Sequence, residues 1–123
     1  LVPPEFFSEV CYRSRKDDNL EIIKLIIDNA IPLKIDVNFR YAGGETILHL
    51  LMGYENYESI EYLLSISDVN VNARCNYGYT PYLFACEIEG KTAAEIFEKY
   101  SSVDLQATLS DGRTAHEILY KRE

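Results

Sequence analysis

Three glycine–threonine pairs recur along the chain with a fixed interval. Gly44, Gly78 and Gly112 are each followed two residues later by Thr46, Thr80 and Thr114, and both intervals are 34 residues. A second marker keeps the same interval: Asp36-Val37-Asn38, Asn70-Val71-Asn72 and Asp104-Leu105-Gln106. Two independent markers in one period point to a stacked repeat array rather than an ordinary helical bundle. In such an array one unit cannot bury its apolar face alone, so neighbours must stack on it.

The chain in order fits units of one plan. Phe6, Phe7, Val10 and Cys11 mark one face of a short first helix opened by Pro3 and Pro4, and residues 13–19 form a charged break. Residues 20–29 are apolar nearly all round (Leu20, Ile22, Ile23, Leu25, Ile26, Ile27), which predicts a helix buried between neighbours. Its β-branched residues also suit a strand, but length and the repeat context favour helix. Pro32 ends it.

Each regular unit then has a glycine-bearing turn, a Thr that can cap a first helix, a break and a second helix. The first helices are expected at 47–52, 80–87 and 114–121. The second helices are expected at 58–64, with Ile60, Leu63 and Leu64 inward, and at 92–100, with Ala93, Ile96, Phe97 and Tyr100 inward. Ile118 and Leu119 are the inward pair of the last first helix. Pro81 sits where a first-turn proline loses no hydrogen bond, so Thr80 and Pro81 should be buried and structural.

These elements resemble ankyrin repeats, a family whose unit of about 33 residues is a turn and two helices with a T-P-L-H-x-A signature. Thr80-Pro81-Tyr82-Leu83-Phe84-Ala85 matches at Thr, Pro and the final Ala, and Thr46-Ile47-Leu48-His49 at Thr, Leu and His. Leu20-Glu21-Ile22-Ile23-Lys24 is similar to the opening of a family second helix. The likeness runs from about Phe6 to Tyr120. It implies an all-α repeat solenoid with turn or hairpin tips, in one domain: an N-terminal cap at 3–36, units at 37–70 and 71–104, and a partial unit at 105–123. Glu5, Glu9 and Arg13 would give the first helix the polar outer side of a cap, and residues 120–123 suit a polar end.

The departures are specific. Where the family often has Asp three positions before the turn glycine, Tyr41, Cys75 and Leu109 stand, so the turn hydrogen bonds of that Asp are left open. His is present only at 49; Leu83 and Glu117 replace it. His49 is read as structural, tying neighbouring backbone together, and His116 has no shared role.

Chemistry is hard to find in this sequence. There is no phosphate-binding glycine motif, no HExxH, and no paired-cysteine metal spacing, so no cofactor or metal is expected. Glu55, Glu58 and Glu61 read as a solvated helix face. Cys11, Cys75 and Cys86 are too scattered for a disulfide framework; they suit a reducing compartment and read as half-buried core thiols. The net charge of -8 disfavours nucleic acid and anionic membrane surfaces, and permits a basic partner. No apolar run approaches the ~20 residues of a membrane span. Without an initiator Met or a signal pattern at its start, the chain is read as an intracellular piece of a longer protein.

The resemblance implies a non-catalytic interaction module that binds a partner protein through its concave surface. Carried over by position, the candidate contacts are Arg40 and Glu45; Arg74, Asn76, Tyr77 and Tyr79; Asp111 and Arg113; and, on the first helices, Tyr54, Glu87 and Ile88. Tyr54, Tyr77 and Tyr79 are the expected anchors, since tyrosine buries much area at little rotamer cost. Tyr79 is expected to point outward; for Tyr77, exposure and packing are both open. The alternative is a regulatory or scaffolding segment of a larger enzyme, channel or effector. The chain is expected to be a monomer. Asn72, with Leu64 eight residues earlier, also resembles the site of ankyrin asparaginyl hydroxylation, beside its simpler reading as an Asn bonding turn backbone.

Overall fold

A computed structural model describes residues 21, 24–25, 28–29, 36–53 and 56–122. The expected first helix with its polar flank, Cys11, the Pro32 stop, Tyr54 and Glu55 lie outside those residues. The bounded helices are α1 (Ile47–Leu50), α2 (Tyr57–Leu64), α3 (Pro81–Ile88), α4 (Lys91–Glu98) and α5 (Ala115–Arg122). A 3-10 turn at Ala42–Gly44 precedes α1. Observed and expected bounds differ by one or two residues, the usual fraying of helix ends.

Each first helix begins at its threonine, by a different device. Thr80 Oγ1 accepts from Leu83 N at 3.2 Å, and Pro81 fills N1. Thr114 and Glu117 form a reciprocal box: Thr114 Oγ1 accepts from Glu117 N (3.2 Å) while Glu117 Oε1 accepts from Thr114 N (3.3 Å). At Thr46 the reciprocal partner is His49, whose Nδ1 accepts from Thr46 N at 3.0 Å. Gly90, at φ +83°, turns the chain from α3 directly into α4.

The helices stack in two rows. α3 packs against α1 and α5, and α2 packs against α4, while α3 and α4 pair within one unit. α2 buries Ile60, Leu63 and Leu64, spaced for one helical face, and α4 buries Ala93, Ala94 and Phe97. α3 is the central helix and buries Pro81, Tyr82, Leu83, Ala85 and Cys86. Ile96, Tyr100 and Leu119 are only half-buried. The stack is mostly helical, as an all-α repeat array requires.

Two expectations are corrected. Cys75 and Cys86 are fully buried rather than half-buried. Burial pushes the Cys86 thiol up to about 12, so it stays protonated and unreactive. Leu25, expected inside, is 65% exposed. It lies in helical backbone on the stripe shared by Glu21 and Asp28, which are also exposed.

Candidate interaction surface

The three turns close identically without the family's Asp. Tyr41 N donates to Glu45 O (2.8 Å), Cys75 N to Tyr79 O (2.9 Å) and Leu109 N to Arg113 O (2.9 Å). Gly44, Gly78 and Gly112 then donate back to Tyr41, Cys75 and Leu109. Each glycine holds φ between +74° and +90°. Backbone bonds close the turn, which frees positions 75 and 109 for buried apolar side chains.

Side chains then tie the array together, the asparagines within a unit and the arginines across to the next. Asn38 Nδ2 donates to Asp68 O while Asn70 N donates to Asn38 Oδ1. One period on, Asn72 Nδ2 donates to Ser102 O and Asp104 N donates to Asn72 Oδ1. The Asn72 amide is thus occupied on both sides by backbone. The arginines repeat this logic: Arg40 Nη1 reaches Gly44 O and Arg74 O, and Arg74 Nη1 reaches Gly78 O and Thr108 O. Arg40 and Arg74, expected to face a partner, therefore spend donors on scaffold carbonyls. Their matching positions in the period were the unread signal.

His49 is a third bolt, in the role read from its sequence position. Its Nε2 donates to Tyr79 O at 2.9 Å, so Nδ1 carries no proton and accepts from the Thr46 amide and hydroxyl. Burial lowers its pKa below the ordinary imidazole value; the Tyr79 carbonyl opposes this and Arg40 adds to it.

Tyr79 does not point freely outward as expected. It is half-buried because its ring lies edge-on against Phe84, centroids 5.6 Å apart. Its hydroxyl donates to Glu87 Oε1 at 3.3 Å. Burial first, then the Glu87 carboxylate, raise the phenol's pKa, and the Arg113 guanidinium acts against them. Tyr79, Glu87 and Arg113 are therefore brought together, and Asp111 joins them through Arg113 Nε at 2.9 Å.

Tyr77 is 80% exposed, which settles its direction. Asn76 is exposed at the tip, its amide bonded to Gly43 O at 2.8 Å. Ile88, at the end of α3, is 41% exposed. Its Cγ2 lies 3.6 Å from where a Cβ on Gly53 would be, so it leans over the neighbouring unit. Glu89 also crosses that joint, accepting from Gly53 N. Glu45 is half-buried, and burial raises its pKa.

Two clefts open beside α5. One, of about 410 Å³, is lined by Arg113, His116, Glu117, Tyr120 and Lys121. The other, about 250 Å³, runs between α4 and α5 along Lys91, Ala94, Glu98 and Leu119. Position alone did not single out His116 or Lys121, which share a cleft with Arg113 only once the turn folds back over the helix. Among the described residues no group of three or more His, Cys, Asp or Glu side chains could hold a metal. No helix among them is long and apolar enough to cross a membrane.

A family model for ankyrin repeats, in 3 copies, matches residues 10–115. No curated protein matches the chain. With a 34-residue period of glycines, caps and side-chain bolts, and a family match over most of its length, the chain belongs to the ankyrin-repeat family.

Proposed function

We propose that this array is a non-catalytic module that binds a partner protein along its turn tips and first helices. Ankyrin repeats are generally protein–protein interaction modules, and the distribution of exposed apolar side chains supports that use here. Tyr77, Ile88 and Tyr120 are large, apolar and exposed and lie on a tip or a first helix, whereas the exposed Leu25 and Leu105 lie off that surface. That observation carries the reading, because a rigid aromatic beside an aliphatic side chain makes an anchor at little entropic cost.

Tyr77 and Ile88 are the principal contacts. Glu45, Asn76, Glu87, Asp111 and Arg113 supply the polar surround. Tyr79 acts mainly through its edge and hydroxyl, and Arg40 and Arg74 support the tips from behind. The acidic balance favours a basic partner over nucleic acid, and buried free thiols suit a reducing, intracellular setting. A monomer carrying this surface is sufficient for the role.

The test is capture of host proteins by the wild-type chain and by Tyr77→Ala and Ile88→Arg. Both changes sit on exposed side chains and should leave the circular dichroism spectrum unchanged. Loss of the same captured protein with both variants supports the surface; full retention with both overturns it.

A further inference from the structure

Asp111 is the only aspartate of the chain that is followed by glycine, and no asparagine is. The pair falls in the third tip, where the equivalent pairs are Gly43-Gly44 and Tyr77-Gly78. Such a pair carries its own chemistry, because glycine has no side chain to hinder approach to its nitrogen. The Gly112 nitrogen attacks Asp111 Cγ and a C–N bond forms. The carboxyl hydroxyl leaves with the amide proton as water, closing a succinimide ring. Water then adds at the Asp111 backbone carbonyl and breaks its bond to the Gly112 nitrogen. The main chain now runs through Cβ and Cγ, which is isoaspartate, and no oxidant or reductant is needed.

The third tip leaves this bond open to water. Asp111 and Gly112 are both exposed, and no described atom lies within 4 Å of where a Cβ on Gly112 would stand. Three hydrogen bonds nevertheless hold the reacting groups back. The Gly112 amide points into the turn and donates to Leu109 O at 2.8 Å. Asp111 Oδ1 accepts from Arg113 N at 3.1 Å, and Oδ2 accepts from Arg113 Nε at 2.9 Å. Both carboxyl oxygens are thus committed to residue 113 rather than free to bring Cγ onto the Gly112 nitrogen. The same contacts, the Arg113 amide first and its guanidinium next, hold the carboxyl below the usual carboxylate range, so it stays ionised. A carboxylate resists attack, since its charge repels the nucleophile and its oxygen leaves poorly. Tyr79 and Glu87 face the same guanidinium from the neighbouring unit, so Asp111 holds it in competition.

We propose that Asp111–Gly112 is a site of spontaneous isoaspartate formation, and that the Arg113 side chain sets its rate by holding the Asp111 carboxylate. Isomerisation lengthens the main chain by one carbon between Leu109 and Arg113, whose backbone bond closes the tip. The first two tips lack the acid and keep their closure. The array therefore ages from its third tip, where Asp111 and Arg113 belong to the proposed contact surface.

The test follows isoaspartate at position 111 in the wild-type chain, Arg113→Ala, Glu117→Ala and a synthetic peptide of residues 106–118, all warmed in neutral buffer. Resistance to an endoproteinase that cuts before aspartate but not before isoaspartate counts the product, and electron-transfer fragment ions place it. Circular dichroism checks that both variants stay folded. The peptide should react fastest, and the folded wild type about tenfold more slowly, the factor for releasing one ordered residue. Arg113→Ala should react about two- to fivefold faster than wild type, the range over which an exposed charged pair restrains its members. Glu117→Ala loosens the α5 cap without touching Asp111, and should stay close to wild type. No isoaspartate in the peptide overturns the site. A wild-type rate equal to the peptide's, Arg113→Ala no faster than wild type, or Glu117→Ala as fast as Arg113→Ala overturns the role of Arg113.

Discussion

Helices α2 and α4 occupy equivalent places in successive units, yet their outward faces differ. On α2, Tyr57, Ile60, Glu61 and Leu64 share one face, and Glu61 meets the next unit. Ile60 and Leu64 are buried there, Glu61 Oε1 pairs with Lys99 Nζ at 2.6 Å, and Glu61 O accepts from the Tyr100 hydroxyl. The same positions on α4 are Lys91, Ala94, Glu95 and Glu98. Lys91, Glu95 and Glu98 are exposed beside an open cleft. A tyrosine has become a lysine, and a leucine a glutamate. Glu98 turns part of its charge inward, where Oε2 accepts from the Tyr82 hydroxyl at 3.0 Å. Burial first, then the Cys86 sulfur and that carboxylate, push the Tyr82 phenol far up. Equivalent fold positions thus carry an apolar and paired face on α2 and a charged face on α4.

The comparison breaks most visibly by truncation. Ile60→Ala should cost about 2–5 kcal/mol in urea unfolding, because it removes a buried side chain from a joint that cannot fully collapse. Lys91→Ala, on the open face, should stay within about 0.5 kcal/mol. Equal effects would erase the distinction.

Glycine offers a sharper version. Gly112→Ala meets only backbone strain, about 1–2 kcal/mol, since nothing lies within 4 Å of the new Cβ. Gly44→Ala adds a collision with Asn76 of the next unit, whose Oδ1 lies where the Cβ would go. Overpacking should raise its cost by a further 1–3 kcal/mol or so. Thermal denaturation of both variants reads the difference directly.

His49→Leu, borrowing the residue at the next equivalent position, should cost about 1–3 kcal/mol by leaving the Tyr79 carbonyl and the Thr46 amide less well paired. It also carries a pH signature. Burial holds the folded imidazole below its ordinary value, so the unfolded chain takes up the proton first. Wild-type stability should fall as pH drops through about 6.5, and its lead over His49→Leu should shrink. A lead that grows on acidification would contradict the assignment. The smallest effect is expected from Lys99→Ala. The Lys99–Glu61 pair is exposed and screened, and its loss should leave the melting temperature unchanged at physiological salt.

Much of the fold could be read from the sequence because the period is written in residues with few conformational options. Gly44, Gly78 and Gly112 need positive φ, and Thr46, Thr80 and Thr114 start helices. Leu63, Phe97 and Ile118 were placed inward by helical spacing alone. Side-chain reach was less legible. Nothing local to Arg40 says that its guanidinium spans two turns, because its second acceptor is 34 residues away. Tyr79 looked like its neighbour Tyr77, but Phe84 and Glu87, one helical turn apart on α3, draw it down onto the helix.

The bolts from Arg40 and His49 each close on backbone of the following unit. Backbone carbonyls and amides are the same whatever residue carries them, so the joint is indifferent to which unit comes next. Excising residues 71–104, one whole period, would hand Arg40 the Thr108 carbonyl in place of that of Arg74, and His49 that of Arg113 in place of Tyr79. Excising 33 residues instead would miss both acceptors by one position. Lineages carrying such joints can lengthen or shorten by whole units without redesigning these backbone bonds, so gene duplication and loss act on this architecture as a ratchet with a fixed tooth.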